Sequence, residues 1–283
     1  MGALDFLTAV QNQDGGWPYR MGGPSAPEAT CHAVLACALG GGERAARAGL
    51  TWLTRALGDD GALHLPEEPT PHWTTSLVLY VLSTLREAPD IQARVVRRLL
   101  AWQVQLADTD AMVRLNAHLS GWSWNEGTFS WVEPTAYALL ALKRVGWGTH
   151  PRVLAGTTLL LDRVCATGGW NYGNPEVMGR ALPAFPDPTA WALLALQGSF
   201  VPLSVIQGGL DFLAREVPSY PSVLALALGS LALSAWGRSV DGLVSALRAR
   251  QSVDGSWRQQ VAVTALAELA LLAASGGEHA FRL

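Results

Sequence analysis

Cysteine is scarce in this chain of 283 residues: Cys31, Cys37 and Cys165 are all there is. Three thiols without metal-type spacing argue against a disulfide framework and a zinc site, and suit small buried residues in a reducing, cytoplasmic compartment. Excess basic charge is missing too. Lys and Arg number 20 against 23 Asp and Glu, a net charge of −3, which leaves no footprint for nucleic acid. Long apolar runs are absent: the longest, Leu224 to Ala235, is too short and too interrupted to span a bilayer. No secretory leader is expected, because Leu4-Asp5-Phe6-Leu7 already reads as an amphipathic helix of the first repeat. A Gly-rich phosphate loop, a dinucleotide fingerprint and a Ser/His/Asp set are all lacking, so no cofactor is expected.

What the sequence does have is one phrase written repeatedly: a glycine-tryptophan turn, an irregular stretch, then an acid-x-Thr opening an Ala/Leu helix. Gly121-Trp122 leads to Glu133-Pro134-Thr135-Ala136-Tyr137-Ala138-Leu139-Leu140, and Gly169-Trp170 to Asp187-Pro188-Thr189-Ala190-Trp191-Ala192-Leu193-Leu194. Alignment on the Thr or Ser gives six anchors: Thr30, Thr75, Thr135, Thr189, Ser222 and Thr264. The helices after them are apolar almost all round, as buried helices are. Segments before the turns, such as Leu50-Thr51-Trp52-Leu53 and Leu210-Asp211-Phe212-Leu213, mix charged and apolar faces at helical spacing. Each unit is thus an outer amphipathic helix, a turn and an inner apolar helix. Six such hairpins fill a single domain over 1–283.

The end units carry the best-matched turns, Gln11-Asn12-Gln13-Asp14-Gly15-Gly16-Trp17 and Gln251-Ser252-Val253-Asp254-Gly255-Ser256-Trp257. Both read Gln-x-x-Asp-Gly-x-Trp. An open array needs polar caps at its ends, so two matching ends predict closure into a ring. The expected fold class is all-α, an α/α toroid with an inner and an outer barrel of helices. These turns resemble the Gln-Trp repeats of the squalene cyclase and protein prenyltransferase β-subunit superfamily, over all six hairpins. Unit two departs with Leu63 where tryptophan belongs, and unit five with Glu216-Val217-Pro218-Ser219 in place of the turn. The resemblance implies a central cavity that holds an isoprenoid chain.

With the inner helices parallel around a barrel, the residue two before each anchor forms a rim: Glu28, Trp73, Glu133, Asp187, Tyr220 and Ala262. The residue two after each anchor forms a lining: His32, Leu77, Tyr137, Trp191, Leu224 and Leu266. Long loops, among them Trp170-Asn171-Tyr172-Gly173-Asn174, are expected to overhang that rim. Aromatic faces pack on polyenes and attract cations. Trp191, Tyr137, Trp73, Trp170 and Tyr220, with His32 and Glu28, are therefore the expected substrate-binding residues.

In squalene-type cyclases the proton donor lies in an Asp-x-Asp-Asp-Thr-Ala motif. Phe185-Pro186-Asp187-Pro188-Thr189-Ala190 keeps the middle Asp and the Thr-Ala, and Trp131-Val132-Glu133-Pro134-Thr135-Ala136 keeps a Glu. The resemblance thus implies Asp187 and Glu133 as catalytic acids. Asp187 before Pro188 reads equally as an N-cap with proline at the first helical position, and His32 as a satisfied core histidine. Protein prenyltransferases hold zinc with Asp, Cys and His at these helix starts. The matching positions here are Ala29, Thr74, Pro134, Pro188, Pro221 and Val263, so neither zinc nor an α-subunit partner is expected. Asp108-Thr109-Asp110 would suit a magnesium-bound diphosphate, but reads first as a polar loop or helix cap.

The functional expectation is an isoprenoid cyclase-like or prenyltransferase-like enzyme with a polyprenyl substrate in the toroid. One alternative is a protein that binds isoprenoid or other lipid without chemistry. Another is a carbohydrate-active hairpin barrel with Glu133 and Asp187 as paired carboxylates. The chain is expected to be a cytoplasmic monomer or weak homodimer, with peripheral membrane contact if its ligand is a lipid.

Overall fold

Outer and inner helices alternate as the repeat requires. The structure, a computed structural model, describes residues 1–65, 68–106, 116 and 118–283. The outer helices are α1 (Ala3–Ala9), α3 (Glu43–Ala56), α5 (Pro89–Leu100), α7 (Pro151–Asp162), α9 (Leu203–Glu216) and α11 (Asp241–Ala249). The inner helices are α2 (Pro27–Gly40), α4 (Thr74–Thr84), α6 (Val132–Arg144), α8 (Pro186–Leu196), α10 (Val223–Ala235) and α12 (Val261–Ala274). Two short hairpins stand in the connecting loops, β1 (His64–Leu65) with β2 (Glu68–Pro71), and β3 (Glu176–Val177) with β4 (Arg180–Ala181).

The threonine and tryptophan of the repeat turn out to be partners. The backbone N–H of Trp17, Trp122, Trp170 and Trp257 donates to the hydroxyl of Thr30, Thr135, Thr189 and Thr264, at 2.8, 2.9, 2.8 and 3.1 Å. The four indole N–H groups donate to Leu7, Leu99, Leu160 and Leu247 O, near the C-terminal ends of the outer helices. Helix ends leave carbonyls without intrahelical partners, and the indole supplies a donor while filling the space between the barrels. All four rings are at most 1% exposed. One residue pair therefore ties the outer helix to the inner helix in these four units.

Closure follows from the next contact. Inner helices touch in the order α2, α4, α6, α8, α10, α12 and back to α2. At the seam, Val261 N–H donates to Tyr19 O at 3.0 Å, and Arg20 pairs with Gln260 in an antiparallel bridge. Gly255, at φ +85°, lies so close to the backbone of Gly2 that a Cβ there would collide with the Gly2 carbonyl. Only glycine satisfies both that dihedral and that approach. The ring is an α/α toroid, as the matched ends predict.

Two units depart from the common register. In unit five Ser222 is not an anchor of the same kind: it is the N-cap of α10, its hydroxyl accepting from Ala225 N–H at 3.3 Å. A short 3-10 turn over Val217–Ser219 replaces the tryptophan turn, with Val217 buried against Gly229. Tyr220 is consequently a loop residue ahead of the helix rather than part of its first turn. In unit two Thr75 is the second residue of α4, with Trp73 as N-cap, yet its hydroxyl still accepts from Leu63 N–H at 2.9 Å.

The mouth opposite the inner-helix N-termini is crossed by residues 278–283. Tyr80 donates to Ala280 O at 2.7 Å, Gln197 Nε2 to Phe281 O at 2.8 Å, and Arg144 Nη1 to Arg282 O at 2.6 Å. Arg282 Nη2 in turn donates to Ser234 O, so the segment is held by α4, α6 and α10 and by Gln197 at the end of α8. Among the described residues no helix is long and apolar enough to cross a membrane. Asp108-Thr109-Asp110 lies outside the described residues.

Candidate functional site

Three inner helices open with an acid in the same place. Glu28, Glu133 and Asp187 are the second residues of α2, α6 and α8. One turn further in, at i+4, stand His32, Tyr137 and Trp191. The N-cap role expected of Asp187 is not realised. The cap position belongs to Phe185, as it does to Trp131 in α6, and neither makes a side-chain cap bond. A capping side chain must start outside the helix, and Asp187 is already inside it. Its Oδ1 is buried with no hydrogen-bond partner.

The three carboxyls share one electrostatic environment, and among the described residues no lysine or arginine pairs with them. Glu133 is 9% exposed; burial first, then the charges of Asp187 and Glu28, push its pKa from 4.5 up to about 8. Asp187 is raised by burial to about 6. The order makes physical sense: Asp187 ionises while Glu133 is neutral, and Glu133 must then ionise against a charge already present. Glu28 is also raised by burial, but a hydrogen bond from the Tyr19 hydroxyl at 2.8 Å opposes the shift. Helix dipoles favour the ionised form at all three positions, by about 1 kcal/mol, under one pKa unit. That is too little to reverse the rise at Glu133. At neutral pH the site holds a protonated Glu133 beside an ionised Asp187.

Aromatic rings fill the layer beneath. Trp73 stacks on Tyr137 at 4.9 Å between centroids, and Tyr137 meets Trp191 edge-on at 4.7 Å. His32 faces Trp191 at 6.1 Å, although α2 and α8 are opposite members of the ring. Phe281 packs edge-on against Trp191 at 5.3 Å and stacks on Tyr80 at 5.4 Å. Of the expected lining, His32, Tyr137 and Trp191 therefore come together, their side chains meeting across the lumen at this depth. On the acid-bearing side of this layer, Tyr19 and Tyr172 are exposed.

One expected binding residue stands elsewhere. Trp170 is one of the wall tryptophans, fully buried against Gly209 and Leu193, and does not overhang the mouth. Tyr220 precedes α10 instead of standing in its first turn, but lies close enough to Tyr172, at the mouth, to influence its ionisation. His32 is not a satisfied core histidine either, since neither ring nitrogen has a partner. Sequence reasoning missed Tyr19, Trp124 and the role of Tyr172. A signal existed: each stands two residues after a turn tryptophan. Trp124 packs edge-on against Trp73 at 5.1 Å, and the Tyr172 hydroxyl is raised to about 12 by burial and by Asp187 and Glu133. Among the described residues no group of three His, Cys, Asp or Glu side chains is arranged to hold a metal ion.

No protein-family model and no curated protein sequence matches the chain. Solved structures do. A protein from Actinoplanes is 20% identical with a TM-score of 0.69, covering 96% of this chain and 97% of that one. A variant of the type II terpene cyclase MstE from Scytonema, in complex with merosterolic acid A, is 15% identical at TM-score 0.65, covering 97% and 95%. An inactive variant of an α-1,6-mannanase from Salegentibacter, in complex with α-1,6-mannotriose, is 10% identical at TM-score 0.68, covering 96% and 97%. At these identities the likeness is one of fold: the chain shares an α/α toroid with a terpene cyclase and with a glycosidase, and its chemistry has to be argued from its own side chains.

Proposed function

We propose that the chain is a Brønsted-acid enzyme of the terpene cyclase kind, acting on an isoprenoid. The observation that supports it is a carboxylic acid, Glu133, kept protonated at neutral pH one turn above a bed of aromatic rings. A proton passes from Glu133 to an alkene carbon, a C–H bond forms from the π pair, and a carbocation remains. The faces of Trp73, Tyr137 and Trp191 stabilise that cation. Asp187, ionised above about 6, is the base the site offers for the proton the final cation sheds. Exposed Tyr19, Met21, Tyr172, Met178 and Leu182 on the loops before α2 and α8 would meet the membrane from which such a substrate is drawn.

A second reading, glycoside hydrolysis, draws on a different observation. The rings meet across the lumen, so a ligand lying over the mouth sees chiefly two carboxyls of unlike proton affinity, the pairing a glycosidase needs. One experiment separates the readings. The protein is incubated with squalene, with C15 to C20 prenyl diphosphates and with α-linked mannose oligosaccharides, and products are sought by mass spectrometry. New isoprenoid products, lost in Glu133→Gln and Asp187→Asn, are expected. Sugar release with no isoprenoid product would replace the first reading by the second. Saturable prenyl binding without product would leave a lipid-binding protein.

A further inference from the structure

One polar side chain beneath the acids has no task in that chemistry. His32 is 1% exposed, and neither ring nitrogen makes a hydrogen bond. Its ring faces Trp191 of the opposite helix, which places it in the lumen rather than between neighbouring helices. Burial lowers its pKa to about 4, so the ring is neutral and carries one N–H donor and one acceptor. A hydrocarbon arriving from the mouth would leave both unanswered. A cation would be better served by the carboxyls above.

We propose that His32 recognises a hydroxyl group at the leading end of the ligand, so that the molecule taken up is an isoprenoid alcohol rather than a hydrocarbon. His32 lies four residues along its helix, about 6 Å, inside the layer of Glu28, Glu133 and Asp187. The hydroxyl and the double bond beside Glu133 then belong to the same end of the molecule, which enters oxygen first. Trp191 and Tyr137, in edge-on contact at 4.7 Å, are the rings on which the carbon chain would pack at that depth. The inference rests on the isoprenoid reading of the site.

The test compares farnesol with the hydrocarbon β-farnesene, by quenching of tryptophan fluorescence, in the wild-type protein and in His32→Phe. Solubility differences between the probes cancel in the ratio of ratios. Farnesol preference is expected to fall by about tenfold in the variant, the worth of one hydrogen bond, while β-farnesene affinity stays unchanged. Should phenylalanine be too large for the lumen, His32→Leu is read in the same way. Binding of both probes with an unchanged preference overturns this inference and leaves the proposed function standing. Failure of both probes to bind the wild-type protein overturns the isoprenoid reading, and this inference with it.

Discussion

Replacing Glu133 by glutamine removes a titration that the fold works against. In the unfolded chain this carboxyl ionises near 4.5; in the folded protein burial and the charges of Asp187 and Glu28 delay ionisation to about 8. Between those values the folded state binds a proton that the unfolded state has released. Stability therefore falls as pH rises through that window, and is flat on either side of it. Each pH unit is worth about 1.4 kcal/mol, so the whole interval amounts to roughly 5 kcal/mol. Glutamine keeps the shape and cannot ionise. Denaturant unfolding at pH 5, 6.5, 8 and 9 should show the variant gaining on the wild type steadily from pH 5 to 8 and no further at 9. A stability difference that stays constant from pH 5 to 9 would mean that Glu133 is already ionised in the folded protein at neutral pH. The proposed acid would then have no proton to give.

Turnover of an isoprenoid substrate should decline on the alkaline side as Glu133 loses its proton near 8, and on the acid side as Asp187 gains one near 6, giving a pH-rate profile of the wild-type protein with both limbs; a profile flat from pH 5 to 9 would refute the acid and base roles. Thr189→Val leaves Trp170 N–H without its acceptor and should cost about 1–3 kcal/mol in denaturant unfolding, with Thr189→Ser recovering most of it. Phe281→Ala removes the ring between Trp191 and Tyr80 and should cost about 3–5 kcal/mol, read as a lowered melting temperature. An unchanged melting temperature would show that residues 278–283 do not brace the inner barrel.

How much of this was legible in the sequence depends on how far each partner lies along the chain. The Trp–Thr clasp could be read because it joins residues 7 to 19 apart and recurs. Closure could be read because the end turns match. Trp170 was misassigned because the repeat uses the same residue type in its wall as a ligand site would use in its lining. Ser222 resembled an anchor, but the proline-containing 3-10 turn before it shifts the register. The plug formed by Phe281 had no signature, since it follows the last repeat and has no counterpart in the others. Motif matching ranked Asp187 above Glu133. Proton affinity ranks them the other way, because it depends first on burial and then on neighbours brought in from α2 and α8.

The three acids show what the repeat decides and what it leaves to context. The clasp fixes Thr30, Thr135 and Thr189 as the fourth residue of their helices, so the residue two before is always in the first turn at the same mouth. A carboxyl there sits under two opposed influences, a dipole that favours its charge and a loss of water that penalises it. On α2 a hydrogen bond from Tyr19 leans toward the charge. On α8 no such bond reaches Oδ1, and Asp187 remains intermediate. On α6 two further carboxyls tip the balance toward the proton. Helix geometry is common to all three, so it cannot be what sorts them. If the sorting is by neighbours, Tyr19→Phe should raise Glu28 toward the behaviour of Glu133, with no change in any helix.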